Sequence, residues 1–305
     1  MFKVMVLFLL LFTFVYSHGG LFEPLPSKVS PLTDKAKLGK LLFHDPILSR
    51  NNTISCASCH PLLNYGVDNL KVSIGIDGRK GKRNAPTVWN ARYNFVQFWD
   101  GRAKDLEEQA LTPITNSFEM DTTVAAVIKK LQKDKAYREH FEKLYEEGVT
   151  AKSLADALAA FGKTLITPNS KFDRYLRGDE KALNSQEKEG FRLFKSKGCV
   201  SCHNGINVGG TLYQKFGLFE SYKSSAQPDY GRFHITNSSE DKYYFKVPSL
   251  RNVAKTAPYL HDGSVATLKE AVQTLVKMQL GHGLTENELE SIVSFLKALT
   301  GAVYE

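Results

Sequence analysis

Cys56-Ala57-Ser58-Cys59-His60 and Cys199-Val200-Ser201-Cys202-His203 are two copies of one pattern, Cys-x-x-Cys-His, and together they hold all 4 cysteines of the 305-residue chain. Two thiols three positions apart can each bond one vinyl carbon of a porphyrin while the adjoining imidazole reaches the iron. We therefore read Cys56, Cys59, Cys199 and Cys202 as attachment residues of two covalent c-type haems, with His60 and His203 as iron ligands. For a single Cys-x-x-Cys in a cytosolic chain, a zinc site or a redox dithiol competes equally. Duplication, the histidine closing each copy and a leader ahead of them favour haem.

That leader is residues 1–17, with a charged start at Lys3, an apolar run over 4–15 and a cleavable-looking Val15-Tyr16-Ser17. The run is too short to span a bilayer, so it reads as a secretory signal with a mature start near His18. An uncleaved tether is the alternative. Haem coupling outside the inner membrane then implies the periplasm, and no cysteine is left over for a disulfide there. The formal charge is +8, but acidic residues are interspersed with basic ones, so no nucleic-acid face is expected. The densest basic cluster, Arg79, Lys80, Lys82 and Arg83, reads as a solvated loop.

The length allows two domains, and the patterning is helical. Apolar spacing predicts helices over 34–43, 106–111, 122–132, 136–147 and 151–165. Between them, 64–84 reads as a long loop over a cofactor, and the aromatic run 86–99 as core or cofactor packing. Residues 167–170 end the first domain and the charged 171–183 reads as a connector. Asn184 with Glu187, and Thr285 with Glu288, form capping boxes that open helices on either side of the second haem motif. The stretch 209–244 reads as loop with one short hairpin. The expected fold is all-α with two domains, 18–167 and 168–305, one haem in each.

The chain resembles the bacterial dihaem cytochrome c peroxidases over nearly all of its mature length. The resemblance rests on the motifs starting Leu38-Gly39-Lys40-Leu41-Leu42-Phe43, Ser55, Arg83-Asn84-Ala85-Pro86-Thr87 and Phe98-Trp99-Asp100-Gly101-Arg102. It continues through Gln109, Glu119-Met120, the second haem motif, Val247-Pro248-Ser249-Leu250-Arg251-Asn252 and Pro258-Tyr259-Leu260-His261-Asp262-Gly263. It implies two cytochrome c-like domains, with hydrogen peroxide reduced at the N-terminal haem (His60) and electrons entering at the C-terminal one (His203). The donor would be a small periplasmic cytochrome c or a cupredoxin, and the assembly a homodimer. Trp99 matches the inter-haem tryptophan, and Glu119 and Gln109 the distal pair beside the peroxide. The side chain of Asn84 and the backbone carbonyls of Thr256 and Pro258 match the ligands of a Ca2+ ion between the domains.

Two positions depart from the family. Many members place a distal histidine where this chain has Ile76, in Ser73-Ile74-Gly75-Ile76, so no protein ligand is expected there. The axial methionine of the C-terminal haem, or the tyrosine of the cofactor-maturing relatives, falls on Leu275, and Met278 one helical turn on is the nearest thioether. His282 is the next candidate, on a loop. His44, His140 and His234 read as surface or loop residues, and His261 as structural near a haem edge. A peroxide-dependent oxidase that modifies a protein side chain is the first competing reading, weakened by the absence of tyrosine at 275. A dihaem electron carrier is the second, weakened by Glu119, Gln109 and an open iron.

Overall fold

The computed structural model describes residues 20–222 and 228–304; the leader 1–17 and His18 lie outside the described residues. The first half comprises α1 (Asp34–His44), the short α2 (Cys56–Cys59), α3 (Leu106–Thr115), α4 (Val124–Lys133), α5 (Lys135–Leu144) and α6 (Ala151–Gly162). The second comprises α7 (Lys171–Leu176), α8 (Ser185–Ser196), β1 (Tyr213–Lys215), α9 (Phe233–Thr236), β2 (Tyr244–Lys246), α10 (Leu268–Leu275) and α11 (Glu286–Lys297). In place of a short hairpin within 209–244, the strands β1 and β2 pair antiparallel with Tyr213 opposite Lys246, and the segment carrying α9 separates them in the chain. Among the described residues the rest of the regular structure is helical.

Polar residues start these helices as the spacing predicts. Thr33 accepts from the Ala36 amide to open α1, and the boxes Asn184/Glu187 and Thr285/Glu288 open α8 and α11. Each box satisfies two backbone donors that have no partner inside the helix.

One packing unit occurs twice. Leu38 and Leu42 of α1 pack with Leu154, Ala157 and Leu158 of α6, and Leu193 and Phe194 of α8 pack with Ile292, Phe295 and Leu296 of α11. Both crossings close over a glycine. A Cβ on Gly39 would lie 1.9 Å from the Ala157 carbonyl oxygen, and one on Gly190 would lie 1.9 Å from that of Ser291. In both, the next neighbour is the Cβ of a phenylalanine four residues on, Phe161 or Phe295. Each unit leads into a Cys-x-x-Cys-His motif, so the same frame carries both.

Chain order and spatial order differ at the two ends. Phe22 packs in the second-half core, 5.6 Å from the Phe172 ring, and the Leu25 amide donates to Asp173 at 2.9 Å. At the other end Tyr304 meets the Trp89 ring at 5.0 Å and its hydroxyl donates to the Thr164 carbonyl. The stretch 171–183, expected to be a connector, contributes α7 to the core instead. Phe172 and Asp173 are fully buried, and Asp173 accepts from Arg251 at 2.9 Å. Six residues are too few for an apolar period to stand out, and Ser170, which caps α7, was the available sign. Within the cluster of Arg79, Lys80, Lys82 and Arg83, the two lysines are exposed as expected and Arg83 is the exception. Arg83 bridges Asp100 at 2.5 Å and Asp229 at 2.6 Å, tying the halves together.

The glycine crossing yields a test. Alanine in mid-helix is intrinsically favoured over glycine by ~1 kcal/mol, whereas overpacking costs ~1–3 kcal/mol. The blocking atom at Gly190 is backbone and cannot rotate away, so Gly190→Ala is expected to destabilise the holo-protein in a denaturant titration. A gain in stability would show that α8 and α11 separate at no cost.

Candidate functional site

The two motif histidines are set up alike. His60 Nδ1 lies 2.9 Å from the Gly66 carbonyl, and His203 Nδ1 3.4 Å from that of Val208. A carbonyl only accepts, so Nδ1 carries the proton and Nε2 keeps the lone pair that a metal requires. Burial lowers the pKa of both rings, that of His203 to about 4, which keeps them neutral. Gly66 has φ +68° and a Cβ there would meet Val88 at 2.7 Å, so the loop that brings its carbonyl under His60 needs glycine.

The cysteines have the opposite character to a redox pair. Burial pushes Cys56 up to about 12, and Cys59 and Cys199 up to about 11, where a reactive dithiol needs a depressed value. Among the described residues no group of three or more His, Cys, Asp and Glu side chains is arranged to hold a metal, so the motifs do not converge on a zinc site.

A cavity of about 250 Å³ opens at the second motif. Cys199, Cys202 and His203 line it, and Leu250, Val272 and Leu275 supply part of its apolar wall. Two thiols and an imidazole with a free Nε2 at the edge of an apolar cavity fit a covalently held porphyrin. Trp99, Asn84, Thr256 and Pro258 lie on the same wall. The Trp99 indole donates to the Asn84 carbonyl at 2.9 Å, and the Trp99 carbonyl accepts from the Lys246 amide at 2.8 Å. The tryptophan is thus bonded to both halves. The Asn84 side-chain amide donates to the Leu70 carbonyl at 3.0 Å, which leaves its oxygen for a cation.

Met278 does not share that wall. Residues 276–280 form a π turn, whose i→i+5 bonding spreads each turn over more residues. Val276, Gln279 and Leu280 therefore line the cavity along with Leu275, while Met278 is buried behind them at 6% exposure. The spacing argument for Met278 assumed α geometry. His282 is held elsewhere, with its ring nitrogens 3.0 Å from the Lys197 carbonyl and 3.2 Å from that of Gly283.

Near the first motif, Glu119 follows α3 and is close enough to Cys56 and Cys59 for its charge to act on both. Burial raises its pKa, opposed by Arg102 and by the Asn116 amide, which donates to Oε1 at 2.5 Å. Arg102 is itself held over the Phe98 ring at 3.6 Å and against Asp100 at 3.0 Å. Gln109 is half-buried on α3, with no side-chain partner among the described residues. Ile76 is fully buried, and its amide donates to the Glu119 carbonyl at 2.9 Å. Gly75 sits so close to Phe118 that a Cβ would lie 2.0 Å from its carbonyl oxygen, so the loop is pinned beside Glu119. Asn116 and Arg102 were missed from the sequence, although Arg102 lies inside a quoted motif.

Of the other histidines, His140 and His234 are exposed as expected. His261 stacks on Phe245 at 4.4 Å and lines the cavity. His44 differs: its Nε2 is buried and has no hydrogen-bond partner among the described residues, and its ring meets that of Phe43 at the end of α1.

These features define a helical protein with a cytochrome c domain. Residues 33–181 match the family described as di-haem cytochrome c peroxidase and residues 187–300 match cytochrome c. The chain is 48% identical to cytochrome c551 peroxidase of Nitrosomonas europaea, covering 92% of this chain and 84% of that one. It is 46% identical to the enzyme of that name from Pseudomonas aeruginosa, covering 93% and 85%. A methylamine utilization protein MauG of Methylophilus methylotrophus is 33% identical over 92% and 87%. A solved MauG-like protein associated with microbial copper homeostasis superposes with a TM-score of 0.79 at 29% identity, covering 92% and 93%. The chain belongs to the dihaem cytochrome c peroxidase family. It is accordingly a peroxidase, an oxidoreductase.

Proposed function

We propose that the protein reduces hydrogen peroxide to two waters in the periplasm, consuming two protons and two electrons from a small cytochrome c or cupredoxin. Cys56, Cys59 and His60 would hold one haem covalently, and Cys199, Cys202 and His203 the other, in domains 18–167 and 168–305 of a homodimer exported by the leader 1–17. The observation that carries this reading is the repeated placement of a neutral imidazole, Nδ1 tied to a carbonyl, beside two half-buried thiols. The haems, when bound, supply the iron that takes peroxide and the one-electron steps.

The chain's own residues supply the proton chemistry. A carboxyl whose pKa is raised by burial can take a proton from one peroxide oxygen and return it to the other, which suits Glu119. Gln109, with a free amide on α3, would orient the peroxide. Trp99, bonded to both halves, would carry electrons between them, and Asn84, Thr256 and Pro258 would hold Ca2+ at the same seam. As a second ligand for the iron that His203 would hold we assign Met278, the only methionine described in this half. The oxidase reading is disfavoured because Leu275 occupies the wall where a tyrosine would act. A pure carrier would have no use for a proton-holding carboxyl.

Glu119→Gln is expected to lower peroxide turnover by ~10²–10⁴-fold, the usual worth of a general acid–base group, with both haems still attached by haem stain and mass. Turnover within about twofold of the parent, far below that range, removes Glu119 from the mechanism. Met278→Ala should abolish the thioether-ligated spectrum of the second haem, and an unchanged spectrum makes Met278 a packing residue.

Because Ile76 offers no ligand, the fully oxidised protein should react with peroxide without prior reduction. Ile76→His should then create a lag that is relieved when the second haem is reduced, a gate in which one site's state shifts the other's equilibrium. Stopped-flow mixing with peroxide separates the cases: a parent inert until reduced would mean that another side chain fills the distal position.

A further inference from the structure

Lys246, on β2, lies in the wall of the cavity at the second motif and is 6% exposed. It is the one lysine, arginine, aspartate or glutamate in that wall. The other polar groups there are amides, hydroxyls, thiols and the two histidines, His203 and His261, whose pKa values burial lowers. The Lys246 backbone is fixed, its amide donating to the Trp99 carbonyl and its strand paired with Tyr213. Its ammonium, in contrast, has no hydrogen-bond acceptor and no ion-pair partner among the described residues.

Arg251 shows how this fold treats a cation that belongs to the protein alone. It is 1% exposed, and its guanidinium donates to Asp173, to the Ile206 carbonyl and to the Glu23 carbonyl. An unpaired buried charge is strongly unfavourable, and burial by itself pushes Lys246 down to about 8. A lysine kept in such a wall therefore points to an anion brought by whatever fills the cavity. A porphyrin held at Cys199 and Cys202 is apolar except for its two propionates, so the missing carboxylate is on the ligand.

We propose that Lys246 is the counter-charge of a propionate on the haem at Cys199 and Cys202 and that its charge raises that haem's reduction potential. The inference rests on the reading of the second motif as a haem site. A fixed cation in a poorly screened cavity favours the state of its neighbour that carries one more electron, so the electron-entry haem is held more reducible. Lys246 is a positioning residue and touches no peroxide.

The test is a spectroelectrochemical titration of the holo-protein, with haem content at each motif checked by mass spectrometry. Lys246→Met, which keeps length and removes charge, should lower the reduction equilibrium constant of the second haem by about tenfold, ~59 mV for one electron. The first haem should not move, and Lys246→Arg should restore most of the loss. If both haems are attached and Lys246→Met shifts the second by less than about twofold, ~18 mV on the same scale, or shifts both equally, the assignment is wrong. If Lys246→Met fails to load its second haem, resonance Raman spectra of the parent and Lys246→Arg decide. A moved propionate-bending band supports the pairing and identical bands overturn it. A parent with no haem at Cys199 and Cys202 would instead overturn the haem reading itself.

Discussion

At Gly39 and Gly190 two helices approach until only a hydrogen fits between one backbone and the carbonyl of the other. Dense packing transmits such a constraint, since side chains around it have few alternative arrangements. With α1 locked on α6 and α8 on α11, the segment leaving each first helix has a fixed origin, and each motif is displayed from it. In the second half the motif follows almost at once, at Cys199 after Ser196. In the first, residues 45–55 intervene, and Lys130 of α4 clasps them by donating to the Ile47 and Ser49 carbonyls and to Asn52.

On that shared frame the two sites diverge in polarity. The first motif has beside it a carboxyl whose pKa is raised, with one arginine and one amide acting on it. The second faces an apolar wall with one cation. The seam between them is built from Trp99, whose carbonyl accepts from the Lys246 amide, and from Arg83 reaching Asp229.

The sequence made the motifs, the capping boxes and the longer helices legible because each leaves a local signature: fixed spacing, a polar residue three before its partner, an apolar period. What it hid was non-local. Nothing near Asp173 announces that Arg251 will meet it, and nothing near His60 that Gly66 will turn its carbonyl under the ring. The π turn at 276–280 has no compositional mark, so Met278 seemed to share a face with Leu275. Lys246 carries no local mark of its place in the cavity wall. Family motifs singled out Trp99, Glu119 and Asn84, which residue type alone would have left as core or surface.

The exchanged ends bear on the order in which the molecule can be completed. Phe22 is among the first described residues to be made, yet its partners Phe172 and Phe194 come much later. Tyr304 is among the last, and its partner Trp89 has been waiting since early in synthesis. The Trp89 cluster is therefore completed only once Tyr304 has been made, whereas the core between α1 and α6 draws on residues 38–158 alone. That late contact falls beside the first motif, since Cys56 and Ala57 pack on the same cluster as Tyr304.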